Sequence, residues 1–163
     1  MNQTLKTRPL TWTGATSFGI IAADLDATVQ FYHDVLDMEP GPIMDGTELF
    51  ERHCFLKLAG TEVDVSLHVI EHPQAIRINA GLPLVAFENQ DDYAAQGGVI
   101  ETSMPLNYFG LVLADQAMGE ALRSRLIEHG VECTRPIDRG PVFELIFQDN
   151  NGMMISARWA KEV

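Results

Sequence analysis

The feature that most restricts the fold is a stretch written twice. "FGIIAADLDATVQFY" begins at Phe18 and "FGLVLADQAMGEALR" at Phe109, 91 positions later (109 − 18). In both, an apolar run meets an Ala-Asp step and then a helix-like stretch. A chain of 163 residues holds one domain of ordinary size, so a repeat at this offset fills most of it. The fold is therefore expected to consist of two similar modules.

Each copy reads as strand, cap and amphipathic helix. The carboxylates of Asp24 and Asp115 can accept an orphan backbone N–H at a helix start. Leu25, Val29, Tyr32 and Leu36 then recur at helical spacing. In the second copy Met118, Ala121, Leu122 and Leu126 do the same, before Gly130, a residue suited to a left-handed helix end. Short strand-like runs follow. Asp45-Gly46 is placed for a tight hairpin between "MEPGPIM" and "TELFERHCFLKL", and Gly60 releases "EVDVSLHVI". The second half offers "VECTRPI", "PVFELIFQ" and, after "DNNG", "MMISARW".

Each half thus reads βαβββ, an α+β arrangement. The expected organisation is an N-terminal arm, 1–14, and a single domain, 15–163. Within the domain lie module one (15–70), a connecting segment (71–106) and module two (107–159). The connecting segment contains "HPQAIRINAGLP" and "ENQDDYAAQGG", which read as loop. A connection that long inside a small domain is a candidate lid.

Charge narrows the partners. Acidic side chains number 23 against 11 basic ones, and the formal charge of −12 repels phosphate backbones and anionic lipid. Neither nucleic acid nor a membrane is expected as a partner, and no apolar run reaches the length of a membrane span. The opening "MNQTLKTRPLTWTG" lacks the apolar core of a secretory signal, so a cytoplasmic protein is expected. Cys54 and Cys133 show no C-x-x-C spacing and are expected to be free thiols.

The strand "EVDVSLHVI" alternates, with Val63, Val65, Leu67 and Val69 on one face and Glu62, Asp64, Ser66 and His68 on the other. The polar face meets bulk water or lines a cavity. "HVIEH" has the letters of a zinc-protease helix, but it continues a strand and precedes Pro73. Along a strand its two imidazoles stand roughly 13 Å apart, so the motif is rejected. His53 and Cys54 are neighbours and point to opposite faces, which excludes a direct dyad. Glu144 faces the same side as Ile146 and Gln148 if its strand is regular. The alternation there is too poor to fix the phase.

Tandem βαβββ modules, with "DLDATVQFYHDVLDMEPG" after the first strand and "DNNGMMIS" before the last, resemble the vicinal oxygen chelate superfamily of glyoxalase I, bleomycin-resistance proteins and extradiol dioxygenases. The resemblance covers nearly all of the chain except the arm and residues 71–106. It implies that the modules form a concave, partly closed mixed β-sheet with helices outside, and that the polar face of "EVDVSLH" lines the cavity. It also implies a homodimer, in keeping with the sheet edge that two half-barrels leave to be covered.

In metal-using members of that superfamily, ligands stand seven residues before each cap-region Asp and four after each turn Gly. Those positions here are Ser17, Tyr108, Asp64 and Ser156. Neutral hydroxyls at three of four corners bind a divalent transition metal poorly, so neither a metal nor another cofactor is expected. The expected ligand-binding set is Ser17, Asp64, Ser66, His68, Tyr108, Met154, Ser156 and Arg158. Ser66 and His68 share the face of Asp64; Met154 and Arg158 flank Ser156. Arg158 is placed to meet an anionic ligand or to pair with Asp64 or Glu62. Gly19 and Gly110 either leave room beside them for a ligand or allow close packing of the sheet.

Two functions are compatible with these residues. One is a metal-free protein that holds a small-molecule ligand in the concave sheet. The other is a metal-independent isomerase or lyase that uses Asp64, His68 and Tyr108 for proton transfer. A metal-dependent lyase or dioxygenase requires a different strand register.

Overall fold

The computed structural model describes residues 15–47, 51–60, 65–77, 83–88 and 108–162; the N-terminal arm and Asp64 lie outside them. Both aspartate caps form as the repeat requires. Asp24 has extended backbone (φ −137°, ψ 108°), and its carboxylate accepts from the Ala27 N–H at 2.9 Å to start α1, Leu25–Asp34. Asp115 accepts from the Met118 N–H at 2.9 Å to start α3, Gln116–Glu128. A short helix, α2, spans Val85–Glu88. No helix among the described residues is long and apolar enough to cross a membrane.

The strands are β1 (Ser17–Ala22), β2 (Met38–Pro40), β3 (His53–Leu58), β4 (Ser66–Glu71), β5 (Tyr108–Val112), β6 (Ile137–Asp138), β7 (Val142–Gln148) and β8 (Met154–Ala160). They make two four-stranded mixed sheets, ordered β1-β4-β3-β2 and β5-β8-β7-β6. In each, the first and last strands of the module pair in parallel and the other pairs are antiparallel. The repeated sequence has become a repeated topology.

One face of each sheet is apolar and packs under a helix. Ile20, Ala22, Cys54, Leu56, Leu67 and Val69 meet Leu25 and Tyr32 of α1. Leu145, Phe147, Ile155, Ala157 and Trp159 meet Leu126 of α3, and all of them belong to one continuous core. The helix-bearing faces of the two sheets thus contribute to one core.

Two local expectations are corrected. The stripe on α3 is displaced: Met118 is exposed, and Gly119 is buried instead. A Cβ at Gly119 would stand 2.7 Å from Trp159 Cδ2, so the indole occupies the space a side chain would need. The tight hairpin at Asp45-Gly46 does not form, because Met44 bridges His53 and the chain between them, 45–52, is too long for a two-residue turn.

A polar latch ties the modules together. Tyr32 Oη donates to Asp149 Oδ2 at 2.8 Å, with both side chains buried. Asp149 Oδ1 accepts from the N–H groups of Asn151 (2.8 Å) and Met153 (2.7 Å), and Gly152 takes a φ of 82° to close the turn. Asn150 and Asn151 each donate a side-chain amide N–H to Thr28 Oγ1, at 2.9 and 3.0 Å. The "DNNG" turn of module two thus docks on α1 of module one.

Candidate functional site

Directly paired residues of neighbouring strands share a face, so the register reads out what each sheet presents away from the core. On the first sheet the rows are Ser17–Ser66–Lys57, Gly19–His68–Phe55 and Ile21–Ile70–His53. On the second they are Tyr108–Met154–Gln148, Gly110–Ser156–Ile146 and Val112–Arg158–Glu144. Of the expected ligand-binding set, Ser17, Ser66 and His68 fall on the first open face. Tyr108, Met154, Ser156 and Arg158 fall on the second.

The first face carries a ring cluster. His68 stacks on Phe55 with centroids 4.0 Å apart and planes within 16°, and His53 meets His68 edge-on at 5.2 Å. Burial, and secondarily the neighbouring His53, push the His68 pKa below the ordinary imidazole value, so the ring is neutral at pH 7. Beside it in the register stands Gly19, whose missing Cβ would meet nothing within 4 Å. Ile21 is exposed on the same face.

The second face is organised by Glu144. Only 4% exposed, it shares the side of Ile146 and Gln148, which settles the strand phase that the sequence left open. Its Oε1 accepts from Ser156 Oγ (2.6 Å), Arg158 Nε (2.8 Å) and Arg158 Nη2 (2.6 Å); its Oε2 accepts from Arg139 Nε at 2.8 Å. Burial alone would raise the Glu144 pKa. The hydrogen bonds from Ser156, Arg139 and Arg158 outweigh it and hold the carboxyl below its usual value.

Tyr108 (60% exposed) and Val112 (87%) lie open on β5. Met154 and Ser156 are buried. Met154 packs with Leu84, Ile137 and Ile146, with Phe87 against them, so part of the connecting segment roofs that end of the sheet. The hydroxyl of Ser156 is committed to Glu144. A cleft of about 310 Å³, lined by Phe31, Leu84, Gly130, Val131, Gln148 and Asp149 among others, includes none of the expected ligand-binding residues.

Ser17, Tyr108 and Ser156 offer two hydroxyls and a phenol, a donor set that does not suit a divalent transition metal. Among the described residues, no group of three or more His, Cys, Asp or Glu side chains is placed to hold one. Sequence reasoning passed over Phe55 and Arg139. Phe55 was detectable, standing one alternation from His53 in "HCFLKL". Arg139 lies in a loop, where no periodicity marks it.

The family model described as Glyoxalase/Bleomycin resistance protein/Dioxygenase superfamily matches residues 14–156. No curated protein matches the chain in sequence. Among solved structures, a glyoxylase/bleomycin resistance protein/dioxygenase domain from Frankia sp. EAN1pec superposes with a TM-score of 0.67 at 18% identity, covering 93% of this chain and 100% of that one. TnmS3, an antibiotic binding protein from Streptomyces sp. CB03234, gives 0.62 at 16% identity, over 94% and 100%. The fosfomycin resistance protein FosX from Mesorhizobium loti gives 0.59 at 13% identity, over 90% and 91%. At these identities the likeness is one of fold.

Proposed function

Because the chain belongs to the glyoxalase/bleomycin resistance protein/dioxygenase superfamily, yet carries hydroxyls where the resemblance places metal ligands, we propose that it holds a small-molecule ligand on the open faces of its sheets without the usual metal centre. The observation that carries this reading is the row Gly19–His68–Phe55: open space at a glycine beside a stacked imidazole–phenyl pair. Such a row offers a flat apolar wall with a polar edge, the usual make-up of a small-molecule site. The likeness in fold to an antibiotic binding protein is in keeping with the holding of a small ligand.

The proposed site comprises Ser17, Asp64, Ser66 and His68 from module one, with Tyr108, Met154, Ser156 and Arg158 from module two. A second copy of the chain covers the sheet edges that β1 and β5 leave unpaired, in a homodimer. Light scattering at micromolar concentration is expected to give twice the 18.1 kDa chain mass, and a monomer mass overturns the dimer.

A second reading, a metal-independent isomerase or lyase using Asp64, His68 and Tyr108, draws on the neutral His68 ring, which is ready to accept a proton. One experiment separates the readings. The chain is purified without chelator or nickel resin, its metal content is measured, and it is equilibrated with a panel of small molecules that are afterwards recovered. Retained, chemically unchanged compound supports binding, and a converted compound supports catalysis. One tightly bound transition metal per chain overturns the metal-free premise of both.

A further inference from the structure

The Glu144 cluster carries more positive charge than its carboxylate needs. Arg139 and Arg158 both pair with Glu144, at 2.8 and 2.6 Å, and each keeps about half of its side chain exposed (45% and 51%). Asp138, next to Arg139, is already engaged by Lys161 Nζ. Two guanidiniums around one ionised carboxylate leave a local charge of +1, in a chain whose formal charge is −12.

The geometry of sharing is specific. Arg139 gives Glu144 its Nε, and Arg158 gives its Nε and one N–H of Nη2, both to the same oxygen. Among the described residues, neither Nη of Arg139 nor the Nη1 of Arg158 donates a hydrogen bond. What remains on each guanidinium is the outer Nη1–Nη2 edge, a pair of parallel donors spaced for the two oxygens of a carboxylate. Beside Arg158 in the register stands the exposed Val112, and Tyr108 lies further along the same strand face.

We propose that the outer edges of Arg139 and Arg158 form an anion seat on the open face of the second sheet, which takes the carboxylate of a small ligand whose apolar body lies on Val112 and Tyr108. The inference rests on the reading that this face binds a small molecule, and it adds the chemical class. The surplus of a single positive charge matches a carboxylate better than a doubly charged phosphate. Glu144 is a positioning residue here: it fixes the two guanidiniums and leaves their forks outward. Ser156 supports it through the 2.6 Å bond to Oε1.

The test uses the full chain and two probes of one shape, 2-naphthoate and its neutral amide, 2-naphthamide, titrated calorimetrically at low and high salt. The acid is expected to bind about tenfold or more tighter than the amide at low salt, with the advantage shrinking as salt rises. Because Arg→Gln strips a partner from a buried carboxylate and risks the fold, Arg158→Lys and Arg139→Lys are used. Lysine keeps the charge on Glu144 but has no fork, so each variant is expected to lose about tenfold in affinity for the acid and little for the amide, with an unchanged melting temperature. Equal binding of acid and amide, or lysine variants that bind the acid like the parent chain, overturns the seat and leaves the wider reading standing. If neither probe binds at millimolar concentration the seat is again overturned, while the wider reading is decided separately by its metal analysis and recovered-compound screen.

Discussion

Replacing Tyr32 with Phe removes one hydroxyl from the latch between the modules and nothing else. The lost bond is an O–H donor to a buried carboxylate, Tyr32 Oη to Asp149 Oδ2 at 2.8 Å. A hydrogen bond to a charged group contributes about 1.5–3 kcal/mol, and stripping the donor leaves Oδ2 buried without a partner, which puts the expected loss in that range. The pH dependence follows from Asp149. Burial raises its pKa in the folded state, against the lowering effect of the hydrogen bonds from Tyr32, Met153 and Asn151. A carboxyl whose folded pKa is raised binds its proton more readily in the folded chain than in the unfolded one. It therefore destabilises the fold as pH rises above the unfolded value of about 3.9, and the cost is fully present once pH passes the folded pKa. Tyr32→Phe removes one lowering influence, pushes the Asp149 pKa further up and extends that window upward. The deficit of the variant relative to the parent chain is thus expected to be larger at pH 8 than at pH 5. Asp149→Asn removes the charge. Its amide oxygen can still accept from the Asn151 and Met153 N–H groups while its NH₂ donates to Tyr32 Oη, so a change under about 1 kcal/mol is expected, together with a flatter pH profile. Urea unfolding at both pH values, followed by circular dichroism, measures all of this. A Tyr32→Phe loss under about 0.5 kcal/mol at pH 8, or a deficit larger at pH 5, refutes the reasoning.

Gly119→Ala is expected to destabilise the chain by about 2 kcal/mol or more, since overpacking the Cβ against three Trp159 ring atoms at 2.7–2.8 Å outweighs the roughly 1 kcal/mol gain in helix propensity; thermal unfolding reads it, and a raised melting temperature contradicts the contact. The His68 imidazole is expected to titrate below the ordinary 6.5 in a proton NMR series, and Phe55→Ala, which uncovers the ring, is expected to move it upward; a midpoint unmoved by that change removes burial as the cause. Asp64→Asn separates the two functional readings. A binding protein is expected to lose no more than about tenfold in affinity for a neutral ligand, whereas an enzyme with Asp64 as its base is expected to lose on the order of a hundredfold in turnover, measured side by side by calorimetry and product formation.

The parts of the fold governed by local chemistry were readable in the chain. The two aspartates that start α1 and α3 depend only on neighbouring N–H groups, and the alternation of Ser66, Leu67, His68 and Val69 shows its two faces by composition alone. Glu144 was harder, because Leu145, Ile146 and Phe147 are all buried; a strand covered on both sides loses its period of two. Gly119 was invisible for a different reason. Its role comes from Trp159, brought to it by tertiary packing rather than by helical spacing. The roof over Met154 is likewise a tertiary fact: Leu84 and Phe87 are ordinary apolar residues in a loop-like stretch until Ile137 and Ile146 lie beneath them. Asp64 lies outside the described residues, and its position next to the ring cluster is a proposal.

The latch between the modules runs in one direction only. The two caps fix the offset of the helices at 91, so the counterpart of Tyr32 in α3 is position 123, where Arg123 has its Nε buried without a hydrogen-bond partner among the described residues. Aligned on the turn glycines, Gly60 and Gly152, the counterpart of "DNNG" in the first half is "KLAG", which holds no carboxylate or amide. The duplicated halves have thus become lock and key rather than twins. Module one supplies the phenol and Thr28, and module two supplies the Asp-Asn-Asn turn that receives them. Two copies of either half lack one side of the fastening, whereas the halves expressed as separate chains carry both sides and are expected to reassociate with each other in preference to themselves.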